Sequence, residues 1–259
     1  MPRISRNNIT SKYIHVITQG IKKEYIFKND EYKKEYTKLL NRITREFEST
    51  KILAYCIMDN HAHLLIYTNE IEELSKIMSR VNTSYGIFYN NHTNRVGYVF
   101  RNRYYTQQIL DEKHLFNTLV YIHKNPVKAK MVEKEEDYKY SSYNSYVKNK
   151  VDKEVVKLMF NTEDYIKHFY FIHKNFSEEN IIDIKEEQEK SEQKMKNIIT
   201  QFCDAHNWNL NYIKKDNYLL SLLVKEIKNN SDATNKMISE YIEIGKNRIS
   251  NLTKIIRNN

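Results

Sequence analysis

The sequence predicts an α+β fold: a small sheet of the ferredoxin-like βαββαβ kind, followed by a mainly α-helical C-terminal extension. Three observations predict it. Short runs rich in β-branched residues alternate between apolar and polar, longer segments between them repeat apolar residues at helical spacing, and only 4 Gly and 2 Pro interrupt 259 residues. So few turn-forming residues favour long helices, and the order β-α-β-β-α-β-α suits a small sheet covered by helices.

The first half of the pattern begins with a strand over 9–20, "ITSKYIHVITQG", which alternates and is β-branched. A helix is predicted over 30–49, because an Asp cap precedes apolar residues at helical spacing. The apolar segments "KILAYCIM" and "HAHLLIYT" meet at Asp59-Asn60, a dipeptide that tolerates tight turns. A β-hairpin is therefore predicted there.

The second half of the pattern continues with a helix from about residue 70 to residue 89. The segment "GYVFRNRYYTQQIL", residues 97–110, is predicted to be extended. A helix then begins near Asp111. It should stop at or just before Asn125, because Pro126 disfavours the helical conformation in the residue that precedes it.

Three regions are predicted from composition: a domain over 1–150, a helical and acidic connector over 151–192, and a helical domain over 193–259. Residues 1–150 carry 25 basic against 16 acidic residues, residues 177–192 carry 2 against 7, and residues 193–259 carry 11 against 6. Two basic blocks therefore flank an acidic bridge, which can equally be a solvated helix.

A helix-turn-helix is predicted in the last region. Amphipathic patterns run over 218–229 and 234–241, and a third helix follows Gly245. This last helix carries Lys246, Arg248 and Lys254, as a helix in contact with DNA phosphates would need. A three-helix packing or oligomerisation element fits the same spacing, and the sequence does not choose between them.

The charge balance favours a polyanionic partner. The net charge is +9 and the sequence pI is about 9.2, although solvated lysines also keep a protein soluble. No apolar run approaches the roughly 18 residues of a membrane span, and the N-terminus lacks a signal-peptide core, so a cytoplasmic protein without a membrane partner is expected. Cys56 and Cys203 lie far apart, which argues against a disulfide framework or a cysteine zinc site.

Two histidines in one apolar strand are the first candidate site. Side chains alternate along a strand, so His61 and His63 point the same way and can share one ligand. Neutral imidazole is a common metal ligand, and two imidazoles need further ligands to complete a coordination shell. The alternative is a pair of hydrogen-bonded structural histidines.

The helix before Pro126 offers the remaining groups. Tyr121 and Asn125 are four residues apart and so share a helical face. An amide oxygen from Asn125 suits a hard cation, which points to Mg²⁺ or Mn²⁺. A phenol beside such a metal can attack a phosphodiester and form a phosphotyrosine. Most of the 21 tyrosines must simply pack; the rivals Tyr104 and Tyr105 lie in a predicted strand.

Four ordered motifs resemble the single-tyrosine HUH transposases, in particular the REP-associated tyrosine transposases and their IS200-like relatives. "MDNHAHLL" is similar to the histidine-hydrophobic-histidine motif, and "GYVFRNRYYTQQIL" to the extended segment after it. "YIHKNPVKAKMV" resembles the block that holds the nucleophile, and "YKYSSYNSY" the element that closes the domain. The resemblance covers about residues 9–146.

The resemblance implies a ferredoxin-like catalytic domain that nicks single-stranded DNA, often beside a hairpin, through a covalent 5′-phosphotyrosine that frees a 3′ hydroxyl. It implies that Tyr121 is the nucleophile, that His61 and His63 bind the metal, and that Asn125 is its third ligand. Two departures stand out. Asp59 occupies a position where proline is common in the family, and the Lys of "AKMV", Lys130, one where glycine is common.

Residues 95–108 are basic and aromatic, as DNA contact requires. Arg101 and Arg103 are candidates for phosphate contact, and Tyr105 is a candidate for stacking on unpaired bases. Tyr98, Phe100 and Tyr104 are further aromatic candidates, but half of the aromatic side chains must face the core, since a strand has two faces.

Three functions remain open at this point. The first is a metal-dependent transposase or nickase acting on single-stranded or hairpin DNA. The second is a DNA-binding regulator that uses the helix-turn-helix without cleavage, and the third is a metal phosphodiesterase that uses water as nucleophile. The sequence does not decide between a monomer and a homodimer.

Overall fold

The computed structural model describes residues 9–101, 103–162, 164–175, 184–231, 233–245 and 247–252, with backbone alone for 184–191 and for residue 236. The chain divides into two compact units. One takes in residues 9–181 and the other residues 182–259. Residues 151–175, predicted as part of a connector, group with the first unit.

A four-stranded antiparallel sheet forms the centre of the first unit, and the predicted α+β class is confirmed. The strands pair in the order β2-β3-β1-β4. Their bounds are β1 Tyr13–Gln19, β2 Thr50–Ile57, β3 His61–Thr68 and β4 Tyr105–Gln108.

Two helices cover one face of the sheet. α1, Asp30–Thr44, has Asn29 as its N-cap, and the Asn29 side chain accepts a hydrogen bond from the Tyr32 amide. α2, Ile71–Thr93, packs against α1. The Asn82 amide of α2 donates to the Thr18 hydroxyl of β1 at 3.2 Å, which identifies the sheet face that these helices cover.

The core between this face and the helices is aromatic. Phe27, Tyr36 and Tyr85 are fully buried and pack with ring centroids 4.8 to 5.2 Å apart. The Tyr85 hydroxyl donates to the Ile26 carbonyl at 2.6 Å, so its polar atom is satisfied inside an apolar cluster.

The predicted hairpin turn is confirmed at Asp59-Asn60. The Asn60 carbonyl accepts from the Gly20 amide at 2.9 Å, and the Asp59 carbonyl from the Phe27 amide at 2.8 Å. Lys33 of α1 forms an ion pair with Asp59 at 2.6 Å, with the lysine side chain 8% exposed. The aspartate therefore ties the turn to α1, which a proline at this position cannot do.

β4 is shorter than the extended segment predicted for residues 97–110. The chain turns at Gly97, whose φ of +108° is accessible to glycine at no steric cost. Phe100 then pairs with Gly20 in an isolated bridge, and its ring enters the cluster of Phe27, Tyr36 and Tyr85. Regular pairing with β1 starts only at Tyr105.

The third helix, α3, covers the opposite face of the sheet. It spans Glu112–Lys128 with Asp111 as its N-cap, so the predicted stop at Asn125 is wrong. Pro126 lies in the last turn, where it removes one hydrogen bond only. Beyond it the Lys130 amide donates to the Val127 carbonyl and the Met131 amide to the Pro126 carbonyl, which closes the helix as a Schellman motif.

The segment after α3 extends the sheet edge. Ser141 bridges Cys56 of β2, and the Ser142 amide donates to the Tyr55 carbonyl at 2.9 Å. Three short helices follow, and the last two lie within the connector of residues 151–192 that is predicted to be helical. They are α4 Tyr143–Val147, α5 Lys153–Phe160 and α6 Ile166–Lys174.

The second unit is helical over its described residues. Its helices are α7 Ile184–His206, α8 Leu210–Ile213, α9 Asn217–Asn230 and α10 Asn235–Ile242, and residues 247–252 are helical as well. The three helices predicted after residue 217 are therefore present. A small core, with Met195, Leu220 and Leu223 among its members, also takes in Ile249 of the last helix. Across the described residues no helix is long and apolar enough to cross a membrane.

Candidate functional site

The two histidines of β3 share the sheet face that α3 covers. His63 is 1% exposed and His61 is half-buried. Their ring centroids lie 4.8 Å apart with planes at 80°. The alternation of the strand thus places two imidazoles side by side at the turn end of β3, as the sequence predicts.

Both imidazoles are held through the same ring nitrogen. His61 Nδ1 lies 2.6 Å from the Asn60 amide oxygen, which can only accept, so Nδ1 carries the proton and Nε2 keeps its lone pair. His63 Nδ1 lies 3.0 Å from Nε2 of His15 on β1. Nε2 of His61 can therefore bind a metal, and Nε2 of His63 can do so when Nδ1 carries the proton of that ring.

His63 is neutral at neutral pH. Burial lowers its pKa well below the usual value for histidine, and the neighbouring rings of His61 and His15, together with Lys128, lower it further. Neutral imidazole is the form that binds a metal. Two adjacent imidazoles on one face of the sheet fit part of the coordination shell of a divalent cation.

Tyr121 reaches the same face from α3. Its ring centroid lies 5.5 Å from that of His63 at 84°, and 6.2 Å from that of His15 at 75°. The structure therefore brings the ring of the predicted nucleophile next to one of the predicted metal ligands, His63. Tyr121 is only 2% exposed, so its side chain lies beneath the surface.

Asn125 is buried one turn after Tyr121. Its Nδ2 donates to the Tyr121 carbonyl at 2.9 Å, which leaves Oδ1 as the atom for a metal. Its convergence with the histidines stays a prediction. In the part of the chain that the structure describes, no group of three or more His, Cys, Asp or Glu side chains is arranged to hold a metal ion.

Lys128 adds a charge that the sequence analysis missed. Its ammonium lies 5.0 Å from the centroid of the Tyr121 ring, within cation–π range. Seven residues separate the two, so Tyr121, Asn125 and Lys128 lie along one face of α3. The helical spacing was available in the sequence, but the predicted stop at Asn125 excluded Lys128 from the helix.

The candidate DNA-binding residues of the first unit lie near the His61 end of the sheet. The Arg101 amide donates to the Gln19 carbonyl at 2.9 Å, and Gln19 pairs with His61. Arg101 is half-buried and Arg103 is exposed. Tyr105 is half-buried on β4 and pairs with Ile17, whose other partner is His63.

The aromatic residues around them divide between core and surface. Tyr98 is 87% exposed and Tyr25 is 63% exposed. Phe100 belongs to the aromatic core, and Tyr104 is buried with its hydroxyl on the Ser75 hydroxyl at 3.3 Å. Tyr98 is thus the exposed aromatic side chain of this segment, and Tyr104 is a packing residue.

In the second unit, Arg248 is exposed and its guanidinium binds the Asn217 side-chain oxygen through Nε at 3.1 Å and Nη2 at 2.7 Å. This contact joins the last helix to the start of α9. Lys246 and Lys254 lie outside the described residues.

His15 is the functional candidate that the sequence analysis missed. It is fully buried on β1 and contacts both His63 and Tyr121. The alternation of β1 indicates which residues share its face, but the pairing of β1 with β3 is a long-range property. His123 of α3 is buried against His173 and Ser142.

A comparison with protein families agrees with the motifs that lie within residues 8–125. Residues 8–125 match the family model described as transposase IS200 like. A solved structure of a REP-associated tyrosine transposase bound to a REP hairpin is similar at 16% identity and a TM-score of 0.49, and the match covers 59% of this chain and 88% of that one. No curated protein sequence matches. Residues 8–125 of this chain are therefore similar to the IS200-like transposase family.

Proposed function

We propose that the protein is a transposase that nicks single-stranded DNA near hairpins and transfers the strand through a covalent phosphotyrosine. The observation that carries the proposal is the phenol of Tyr121 packed edge-on against His63, 5.5 Å between ring centroids, on the face that also presents His61. The family match over residues 8–125 supports the same reaction class.

The topology supports a ferredoxin-like assignment for this domain. The first six elements run β-α-β-β-α-β, and the strand order β2-β3-β1-β4 is fully antiparallel. In such a split βαβ arrangement β3 lies between β1 and β2. The central position of β3 supports its role as carrier of both histidines.

In the proposed reaction the Tyr121 oxygen attacks the phosphorus of a DNA phosphodiester. The new Oη–P bond forms as the bond from phosphorus to the 3′ oxygen breaks. The phenol loses its proton and the 3′ oxygen gains one, so the products are a 5′-phosphotyrosine and a free 3′ hydroxyl. The reverse attack by a 3′ hydroxyl rejoins strands.

His61 and His63 would hold a divalent cation through Nε2, with Asn125 Oδ1 as the proposed third ligand. The oxygen ligand and the need for phosphate contact favour Mg²⁺ or Mn²⁺. When bound, such an ion supplies Lewis-acid polarisation of the phosphate oxygens. Asn60 and His15 keep the two rings from turning, so the ligand atoms stay on one side.

Tyr121 must become accessible before it reacts, because it is 2% exposed. Lys128 lies over its ring, and a DNA phosphate is a stronger partner for an ammonium than an aromatic face. DNA binding is therefore proposed to draw Lys128 off the ring and open the approach to the phenol.

The DNA is proposed to lie over the His61 end of the sheet. Arg101 and Arg103 would bind phosphates there, and Tyr105, with the exposed Tyr98, would stack on unpaired bases. The second unit is proposed to act as a helix-turn-helix, with Lys246, Arg248 and Lys254 on its DNA-contacting helix. Monomer and homodimer are both compatible with this arrangement.

A denaturing gel tests the proposal. The protein is incubated with a labelled single-stranded DNA hairpin library and Mn²⁺, and a covalent adduct is expected with the wild-type protein and not with Tyr121→Phe. Tyr104→Phe is the matched control, since its hydroxyl contacts Ser75 away from the histidines. An adduct that persists in Tyr121→Phe would refute the nucleophile.

The same gel distinguishes the alternatives. Strand cleavage by Tyr121→Phe without an adduct would indicate a phosphodiesterase that uses water. Salt-sensitive hairpin binding without cleavage by the wild-type protein would indicate the regulator.

A further inference from the structure

His15 occupies the position next to the proposed metal ligands and away from solvent. It is 0% exposed on β1, the strand that pairs with β3. Its Nε2 lies 3.0 Å from His63 Nδ1, and the two rings stack with centroids 5.2 Å apart and planes at 20°. His15 has no role in the reaction proposed above beyond this contact.

We infer that His15 is a positioning residue that accepts a hydrogen bond from His63 Nδ1–H and so fixes the tautomer that presents His63 Nε2 to the metal. The inference rests on the proposed function, because the tautomer matters only if His63 Nε2 binds a metal. A neutral imidazole has one protonated nitrogen, so the partner of Nδ1 decides whether Nε2 keeps its lone pair.

The contact admits two directions of donation, and they have opposite consequences. If His15 Nε2–H donates to His63 Nδ1, the single proton of neutral His63 lies on Nε2 and blocks that nitrogen as a ligand. If His63 Nδ1–H donates to His15 Nε2, Nε2 of His63 is open. Metal binding by His63 Nε2 therefore requires the second direction.

In His61, too, the partner of Nδ1 decides which ring nitrogen carries the proton. His61 Nδ1 faces the Asn60 amide oxygen at 2.6 Å, an atom that accepts and cannot donate. The two metal-ligand candidates are thus each anchored at Nδ1 by a residue from outside the metal shell. Anchors of this kind orient ligand rings and typically contribute 10–100-fold in metal affinity.

If His15 only stacked on His63, it would be a packing residue, and its replacement would have a different effect on His63. A packing residue can be replaced by an apolar side chain of similar bulk without an effect on the proton position of His63. A positioning residue cannot be replaced by an apolar side chain in this way. It can be replaced by an amide, because an amide oxygen accepts a hydrogen bond.

The first test measures the tautomer in the metal-free protein. Imidazole ¹⁵N chemical shifts of His63 are expected to report Nδ1–H in the wild-type protein, Nδ1–H again in His15→Gln, and an increased Nε2–H population in His15→Leu. His114→Gln, a nearly buried histidine at the start of α3, is the control. An Nε2–H tautomer in the wild-type protein, or an unchanged tautomer in His15→Leu, would overturn the inference.

The second test measures Mn²⁺ affinity by calorimetry without DNA. His15→Leu is expected to weaken binding about 10–100-fold, with His15→Gln closer to wild type, while circular dichroism verifies that each variant is folded. Equal affinity in folded His15→Leu would overturn the role of His15 and leave the transposase proposal intact. A wild-type protein that binds no Mn²⁺ would refute the metal site itself, and the ¹⁵N shifts would still decide whether His15 sets the tautomer.

Discussion

His123 lies in the middle of a buried hydrogen-bonded chain that joins α6 to the edge of β2. His173 Nδ1 donates to the Phe169 carbonyl at 2.8 Å, so its Nε2 accepts from His123 Nδ1 at 3.1 Å. His123 Nε2 then accepts from the Ser142 hydroxyl at 2.8 Å, and Ser142 also accepts from the Tyr55 amide. These polar atoms are all paired with both imidazoles neutral.

This chain predicts a loss of stability in mild acid. Burial lowers the pKa of His173 to about 4 and that of His123 well below its usual value. Between pH 6.5 and 4 the unfolded state therefore binds more protons than the folded one, and the free energy of unfolding falls as the pH falls, by about 3 kcal/mol for His173 alone. Urea unfolding at pH 7, 6 and 5 measures this decrease.

The controls for the pH effect lie on one helix. His173→Asn is expected to unfold at lower urea at pH 7 and to lose less stability on acidification. His168→Asn, on the same helix α6, should keep the wild-type dependence on pH. An equal decrease in His173→Asn and wild type would show that other groups cause the acid effect.

At the scale of single elements, the end of α3 stores backbone strain. Lys130 closes the Schellman motif with φ of +57°, in the left-handed region. A side chain in that region costs about 1–2 kcal/mol, which glycine avoids. The resemblance identified this position as one where glycine is common, and the structure supplies the reason.

Lys130→Gly is therefore expected to stabilise the protein by up to about 1 kcal/mol, since relief of strain exceeds the entropic cost of glycine. Lys124→Gly, in regular α3, should instead destabilise by about 1 kcal/mol. The midpoints of thermal and urea unfolding measure both changes. Destabilisation by Lys130→Gly would mean that interactions of the lysine side chain outweigh the strain.

In α3, some features can be predicted from local sequence and others cannot. The start of α3 near Asp111 and the spacing of Tyr121 and Asn125 follow from local preferences, and the sequence predicted both. The continuation past Pro126 did not follow, because a Schellman closure depends on residues up to Met131. The contact of His15 with His63 depends on the order of strands distant in sequence, so periodicity within β1 could not identify it.

At the scale of the whole molecule, both units carry an excess of basic residues, but the residues proposed for catalysis belong to one unit. Every residue proposed for catalysis or metal binding lies within the unit of residues 9–181. A second basic block, residues 193–259, lies within the other unit. Its buried Ile249 and Leu252 show that the last helix packs within its own small core, which a helix-turn-helix requires. The proposed division is therefore between a unit that cuts DNA and a unit that adds DNA affinity.

A chain that ends at residue 181 tests this division. It is expected to form the Tyr121-dependent adduct with hairpin DNA, because the sheet, α3 and the hydrogen bonds that link Ser142, His123 and His173 all remain. It should bind DNA more weakly, with a smaller slope of log affinity against log salt, because each phosphate that the protein no longer neutralises reduces that slope by about 0.7 to 0.9. Adduct gels and binding titrations from about 50 to 200 mM salt measure the two effects separately. A folded truncated chain with an unchanged slope would refute the DNA-binding role of residues 182–259, and one that binds hairpins but forms no adduct would show that the catalytic unit needs them.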